Sequence, residues 1–256
     1  MKIATWNVNS IRARRERLLS WLLAQKPDVV CLQETKVRDE DFPSLDLRGA
    51  GYHSASHGQK TYNGVAILSL ETPEDVESGL GGEVDDPQAR AISARVGGVR
   101  VVSVYVPNGR EVGSEAYDYK LEWLRRLRAF LDRGHTPSEP VVVCGDFNVA
   151  PEARDVADPP AWEGSVLFHP EVREALQDVL SWGLTDVFRQ HHDEAGLYSW
   201  WDYRMLAFPK NKGLRIDHIF ASQPLASRCT AAFIDRNERK GKQPSDHAPV
   251  VASFDV

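Results

Sequence analysis

Five short stretches set acidic, amide or imidazole groups where an apolar run ends or begins. "TWNVN" carries Asn7 and Asn9, "VVCLQET" carries Glu34, "VVVCGDFN" carries Asp146 and Asn148, and "PSDHAP" carries Asp246 and His247. The fifth, "LRIDHIF", sets Asp217 inside an apolar run, where an unpaired carboxylate costs on the order of several kcal/mol of desolvation. Asp217 therefore needs a partner. Carboxylates and amides with no cysteine among them suit a hard, oxygen-seeking cation, magnesium or manganese, rather than zinc. Each stretch also has a plainer reading. Asp146 and Asn148 are turn residues. Glu34 fits a solvated strand end, Asp246 a turn cap with His247 at the surface, and Asp217 a structural ion pair. Five such stretches in 256 residues make the plain readings weak jointly. No G-x-S-x-G elbow, G-x-x-x-x-G-K-[ST] loop or H-E-x-x-H helix competes with them.

The elements that must position these groups alternate. "KIATWNV" (2–8) predicts a strand, and Ser10 caps a helix with Ile11, Leu18 and Leu22 at helical spacing, closed by Pro27. "DVVCLQE" (28–34) predicts a buried strand. "YNGVAILSL" (62–70) and "ARAISARVGGVRVVSVYV" (89–106) predict more strands, with Gly97-Gly98 as a hairpin turn. Residues 114–132 predict a helix with Tyr117, Leu121, Leu124 and Leu127 on one stripe. "PVVVCGDFNV" (140–149) predicts a buried strand, 150–165 a long loop, and 170–182 a helix. "LRIDHIFAS", "CTAAFIDR" and "PVVASFDV" predict three closing strands. The fold class expected is α/β: two packed mixed β-sheets flanked by helices, a four-layer sandwich. No linker is evident, so residues 1–256 are expected to form a single domain.

The net charge of −6 argues against a passive nucleic-acid coat, yet an enzyme acting on a polyanion remains compatible if its positive charge is concentrated on one face. No apolar run reaches the ~18–20 residues of a membrane helix, and "MKIATWNVNS" has no apolar secretory core. Three cysteines make no disulfide framework, and Cys31 and Cys144 are expected as buried free thiols. These points predict a cytoplasmic protein with no membrane association. His191 and His192 are expected in solvent.

Taken together, "MKIATWNVNSIR", "PDVVCLQETK", "YNGVAILS", "VYVPNG", "GDFNVAP", "SWWDYR", "GLRIDHIFAS" and "PSDHAPV" span the chain in order. In these strings the chain resembles the exonuclease III family of apurinic/apyrimidinic (AP) endonucleases, within the endonuclease/exonuclease/phosphatase superfamily. The resemblance implies an active site at one end of the sandwich, between the sheets. It implies that Glu34 binds metal with Asn7 nearby and Asp246 as a second acidic residue. It further implies that Asp146 and Asn148 activate and orient water, that Tyr105 lies near the phosphate and leaving group, and that His247, held by Asp217, contacts the scissile phosphate. A rival assignment makes His247 the base. Two positions depart from the family pattern: Ala89 precedes Arg90 where Gly-Arg is common, and Ser103 stands where many members have Asn. "PSDH" reads better as a catalytic edge than as a turn, because it supplies the imidazole that Asp217 needs.

The implied cofactor is Mg2+, with Mn2+ as a substitute. The implied partner is double-stranded DNA bearing abasic sites or 3′-blocked ends, bound by a monomer. Arg90, Arg110, Trp200, Trp201, Arg204, Lys210 and Arg215 are the expected DNA contacts, the aromatic residues forming a wedge beside a flipped-out abasic sugar. Arg12, Arg14, Arg15 and Arg17 crowd one helix, and Lys120 and Lys212 also lie near motifs, but only part of this charge is expected to meet phosphate. The expected activity is Mg-dependent cleavage 5′ to AP sites with 3′→5′ exonuclease and 3′-end trimming. The alternatives are a specialised double-strand 3′→5′ exonuclease, a small-molecule phosphoesterase of the same superfamily, or a non-catalytic binding module.

Overall fold

The computed structural model describes residues 1–82 and 86–256. In chain order these form β1 (Lys2–Asn7), α1 (Ile11–Gln25), β2 (Val29–Gln33), α2 (Ser44–Gly49), β3 (His53–His57), β4 (Val65–Ser69), β5 (Glu74–Ser78), β6 (Ala91–Val96) and β7 (Val99–Tyr105). There follow α3 (Glu115–Gly134), β8 (Val141–Asp146), α4 (Pro159–Trp162), α5 (Pro170–Leu180), β9 (Leu184–Asp186), β10 (Asp217–Ser222), α6 (Gln223–Ala226), β11 (Cys229–Ile234) and β12 (Val250–Phe254).

The strands make two six-stranded sheets, ordered β11-β12-β1-β2-β4-β3 and β5-β6-β7-β8-β10-β9. Each contains one parallel pair, β1 with β2 and β7 with β8, and every other pairing is antiparallel. The parallel pairs are the long apolar runs, because a strand covered on both faces has no polar side to show. Their crossovers are α1 and α3. Ser10 accepts from the Ala13 amide to start α1, and Ser114 accepts from the Tyr117 amide to start α3.

Three buried clusters define the layers. Ile3, Cys31, Ile67, Val101, Cys144 and Ile219 meet between the sheets. Trp6, Leu32, Leu18 and Trp21 join α1 to the outer face of the first sheet, with Trp6 and Trp21 rings 5.6 Å apart. Leu124, Leu127, Val143 and Leu176 join α3 and α5 to the outer face of the second. The protein is thus a four-layer α/β sandwich, and Cys31 and Cys144 are buried and free.

Several elements differ from the sequence expectation. β3 (HSASH) is polar and half-buried, β5 (EDVES) is exposed along its whole length, and β9 has three residues. All three are sheet edges, where charged and polar residues are tolerated and the apolar signal is absent. β4 starts at Val65, leaving Tyr62–Gly64 as loop, and the 150–165 segment contains the short α4 and a 3-10 turn at Ala153–Asp155. The Gly97-Gly98 turn joins β6 and β7 as expected, pairing Val96 with Val99. Among the described residues no helix is long and apolar enough to cross a membrane.

Candidate active site

The carboxyl ends of both parallel pairs carry the polar residues, as open α/β sheets generally place their ligand sites. In the first sheet Asn7 ends β1 in register with Gln33, so Glu34 is the next residue out of β2. In the second, Tyr105 ends β7 opposite Asp146, which ends β8. β10 runs antiparallel to β8, so its first residue, Asp217, lies directly across from Asp146. Asp217 therefore opens its strand rather than lying within it. The sheets meet through Asn7, whose Nδ2 donates to Glu34 Oε1 at 2.8 Å and to Asp146 Oδ2 at 2.9 Å.

Gly145 is what lets β8 approach. A Cβ there would stand 1.9 Å from the Val104 carbonyl oxygen, so any side chain would push Asp146 away from Tyr105.

Two carboxylates directly opposite on neighbouring strands repel. His247 relieves them. Its Nδ1 donates to Asp217 Oδ2 at 2.8 Å and its Nε2 lies 3.7 Å from Asp146 Oδ2. The ring is pinned from behind: Trp6 Nε1 donates to the His247 carbonyl, and Ser245 Oγ donates to the Asn7 carbonyl while accepting from the His247 amide. Burial alone would push His247 toward the neutral form, but the Asp217 and Asp146 carboxylates hold its pKa up at about 10. Burial raises Asp146 to about 7, with Asp217 and Glu34 adding to the rise while His247 and Asn7 oppose it. The imidazolium is thus a proton donor at neutral pH, and Asp146 is a carboxyl poised near neutrality.

Ligand atoms of Glu34, Asp146 and His247 lie within 4.8 Å of one another. A doubly protonated ring has no lone pair for a metal, so the donor oxygens come from Glu34 and Asp146, which suit a hard divalent ion. Glu34 Oε2 already attracts a cation, the Lys36 ammonium at 2.8 Å. Asn9, Glu34 and Asn148 all sit in left-handed backbone, φ 45°, 51° and 51°. Non-glycine residues there cost about 1–3 kcal/mol each and collect at functional sites.

Tyr105 is half-buried beside these groups. Burial, then the Glu34 and Asp146 charges, keep its phenol protonated far into the alkaline range. Arg90 stacks 4.7 Å over its ring and donates to its carbonyl at 3.1 Å. Asn148 is oriented by its neighbours: its amide N–H donates to Asp146 Oδ1, its Nδ2 to the Val106 carbonyl, and its Oδ1 accepts from Asn108 Nδ2. Ser103, the departure from the family pattern, accepts from Gln33 Nε2 and links the sheets beneath the site.

Several expectations are corrected. Asn7 does not present its oxygen to the cluster; Oδ1 accepts the Asn9 amide, which turns Nδ2 toward the carboxylates. Asp246 lies outside the Glu34–Asp146–His247 group, its oxygens taken by Asn9 Nδ2 and Trp200 Nε1 at 2.9 and 3.0 Å. Arg215 is not a DNA contact: it is buried and paired with Asp155 and Asp186, supporting β10 from behind. Trp201 is fully buried against Phe208 and cannot serve as a wedge. His192 is half-buried, 2.7 Å from the Ala232 carbonyl, while His191 is exposed. Arg12, Arg15 and Arg17 are each paired with a carboxylate. Arg110 and Lys210 are exposed, Arg204 is exposed and paired with Asp202, and Trp200 is partly buried at the edge of the site.

Residues that sequence reasoning left without a role include Lys36, Asn108, Lys120, Ser199 and Ser245. Ser199 Oγ accepts the amides of Ile216 and Asp217, setting the start of β10. Lys36 and Ser245 stood inside quoted motifs, but nothing in their spacing distinguished them from solvated neighbours.

A profile of the Endonuclease/Exonuclease/phosphatase family matches residues 4–247. Exodeoxyribonuclease III of Haemophilus influenzae is 37% identical over 266 residues, covering 99% of this chain and 100% of the relative. The solved structure of an AP endonuclease from Archaeoglobus fulgidus superposes with a TM-score of 0.97 at 45% identity, covering 100% of both chains. That of the 3′-5′ exonuclease NExo from Neisseria meningitidis gives 0.96 at 42%, again covering 100% of both. A Neisseria NExo structure described as a 3′ phosphatase was solved bound to a product DNA hairpin.

Proposed function

The chain belongs to the Endonuclease/Exonuclease/phosphatase family, and from that premise we propose that it is a DNA-repair phosphodiesterase that cuts the backbone of double-stranded DNA 5′ to AP sites and also trims 3′ ends. The observation that carries this is the meeting of Glu34, Asp146 and an Asp217-held His247 within one small cluster. Full-length similarity to an exodeoxyribonuclease III, an AP endonuclease and a 3′-5′ exonuclease supports nucleic-acid substrates over a small phosphoester.

Hydrolysis places negative charge on the equatorial phosphoryl oxygens and on the leaving 3′-oxygen. A divalent ion at Glu34, magnesium with manganese able to replace it, would supply Lewis-acid stabilisation of that charge. Asp146 takes the proton of the attacking water, since burial has brought its carboxyl near the working pH. Asn148, locked by Asn108 and Val106, orients that water. His247 donates an N–H to a phosphoryl oxygen; its raised pKa favours this over the rival role of base. Tyr105, its phenol kept protonated, donates a hydrogen bond toward the phosphate beside the leaving 3′-oxygen, which takes its proton from solvent. Asp246 acts by fixing Asn9 and Trp200 rather than by ligation. Arg90, Arg110, Trp200, Arg204 and Lys210 contact the DNA, which binds one monomer. The free thiols Cys31, Cys144 and Cys229 suit a reducing, cytoplasmic setting.

A specialised 3′-trimming enzyme is the second reading, favoured by the 42% identity to NExo. One assay separates the two: a duplex containing tetrahydrofuran and a duplex with a recessed 3′ end, each with Mg2+ and with EDTA. Incision 5′ to the tetrahydrofuran that EDTA abolishes is the expected result. Digestion of the recessed end alone would establish the second reading, and cleavage unaffected by EDTA would overturn both.

A further inference from the structure

Lys120 has no place in the chemistry just described, yet it lies against its machinery. It projects from α3 and is fully buried. Among the described residues its Nζ meets no carboxylate. Instead Nζ donates to three main-chain carbonyls, those of Asn108 at 3.1 Å, Asn148 at 2.7 Å and Val166 at 2.6 Å. Burial brings the Lys120 pKa down to about 7; when protonated, its amine has three N–H donors, and every one is used. The acceptors come from three separate segments: the loop leaving β7, the residue two beyond Asp146, and the stretch before α5.

Two of those segments bear directly on the site. Asn108 and Asn148 are the residues whose side chains bond each other, Nδ2 to Oδ1 at 3.2 Å. Lys120 therefore ties together, from behind and through main chain, two residues that already touch in front. Its stem is accommodated by Gly109, where a Cβ would stand 3.0 Å from Lys120 Cδ and where φ is +93°. Asn148 itself sits at φ 51°, a conformation that persists only where the surroundings hold it.

We propose that Lys120 is a positioning residue for the phosphodiesterase reaction, clamping the Asn108 and Asn148 carbonyls so that the Asn148 amide faces the reacting phosphate and water. This rests on the function proposed above. A side chain without N–H donors would leave the three carbonyls unsatisfied and free the 106–110 loop from the 146–148 turn. Misplacing an orienting group by about 1 Å lowers turnover on the order of 100-fold.

The test uses Lys120→Met, of similar length without donors, and Lys120→Gln, which keeps two N–H donors. Both are assayed beside wild type on the tetrahydrofuran duplex, a recessed 3′ end and a 3′-phosphate duplex, at 20 °C, well below melting. The expected result is a kcat for Lys120→Met about 10–100-fold below wild type, KM for the duplex changed by less than about threefold, and a Lys120→Gln kcat between the two. If Lys120→Met does not fold, Lys120→Gln alone carries the comparison. A folded Lys120→Met or Lys120→Gln with lower melting temperature but wild-type kcat reduces Lys120 to a core residue and overturns the inference while wild-type cleavage leaves the functional reading standing. A wild type inactive on all three duplexes overturns that reading and this inference with it.

Discussion

Replacing Asp217 by Asn removes the charge that sits closest to His247, 2.8 Å from Nδ1, while keeping an oxygen to accept the same N–H. In the wild-type site burial opposes the imidazolium and the carboxylates restore it, leaving a pKa of about 10. A hydrogen bond between charged partners contributes about 1.5–3 kcal/mol, which is one to two pK units at about 1.4 kcal/mol each. Asp146, 3.7 Å from Nε2, remains to hold the rest. The sign follows from a raised pKa: the ring is protonated at neutral pH, and donor function is lost as pH rises through the folded value. The alkaline limb of kcat/KM on a tetrahydrofuran duplex should accordingly fall by about one to two units in Asp217→Asn, with neutral-pH turnover much less affected than turnover above about pH 8, because the ring is still protonated at pH 7. The same linkage applies to stability. The His247 contribution is complete below pH 6.5 and disappears as pH rises toward about 10, so the variant's loss of stability should be full at and below neutral pH and close as pH approaches about 10. Titration of the His247 ring by NMR in EDTA checks the free protein. An alkaline limb that does not move, or a wild-type ring titrating near 6.5, would refute the donor assignment.

Asp146→Ala should retain duplex binding and lower incision by more than about 100-fold, as loss of a general base does; quantitative binding and single-turnover cutting check it. Asp146 is raised to about 7 from 3.8, so its folded form holds the proton more tightly and its contribution fades as pH rises from about 4 to 7; Asp146→Asn should therefore melt several degrees higher than wild type at pH 8 in EDTA. Arg215→Leu breaks a buried ion pair, leaving Asp155 with Arg189 alone and removing the guanidinium from Asp186, and should destabilise by about 3 kcal/mol, leaving the salt dependence of DNA binding unchanged, which denaturant melts and binding at several salt concentrations measure. Arg110→Ala and Lys210→Ala should each flatten the slope of log K against log salt by about 1 with little effect on stability.

The central strands were legible because doubly covered strands are long apolar runs, and the hairpin at Gly97-Gly98 because its turn needs positive φ at both positions, here 54° and 80°. β3, β5 and β9 were not, since edge strands carry polar or few residues and draw their pairing from a neighbour rather than from their own pattern. The site was visible as polar residues at strand ends, and Asp217's need for a partner pointed correctly to His247. What composition could not convey was direction. Arg215 and Trp201 read as surface contacts beside a motif, yet both face inward, the first held by Asp155 and Asp186 and the second packed on Phe208. Lys120 was one more basic residue near a motif, and only its three carbonyl partners reveal that it looks toward the site.

Titration of the protein with Mn2+, followed by electron paramagnetic resonance on wild type and Glu34→Gln, reaches the core of this account. A bound ion in the wild type whose affinity drops at least about 10-fold in Glu34→Gln, together with loss of metal-dependent incision, is the expected result. Equal Mn2+ affinity in the two proteins, with cleavage intact in the variant, would contradict the claim that Glu34 holds a divalent ion at the junction of the sheets.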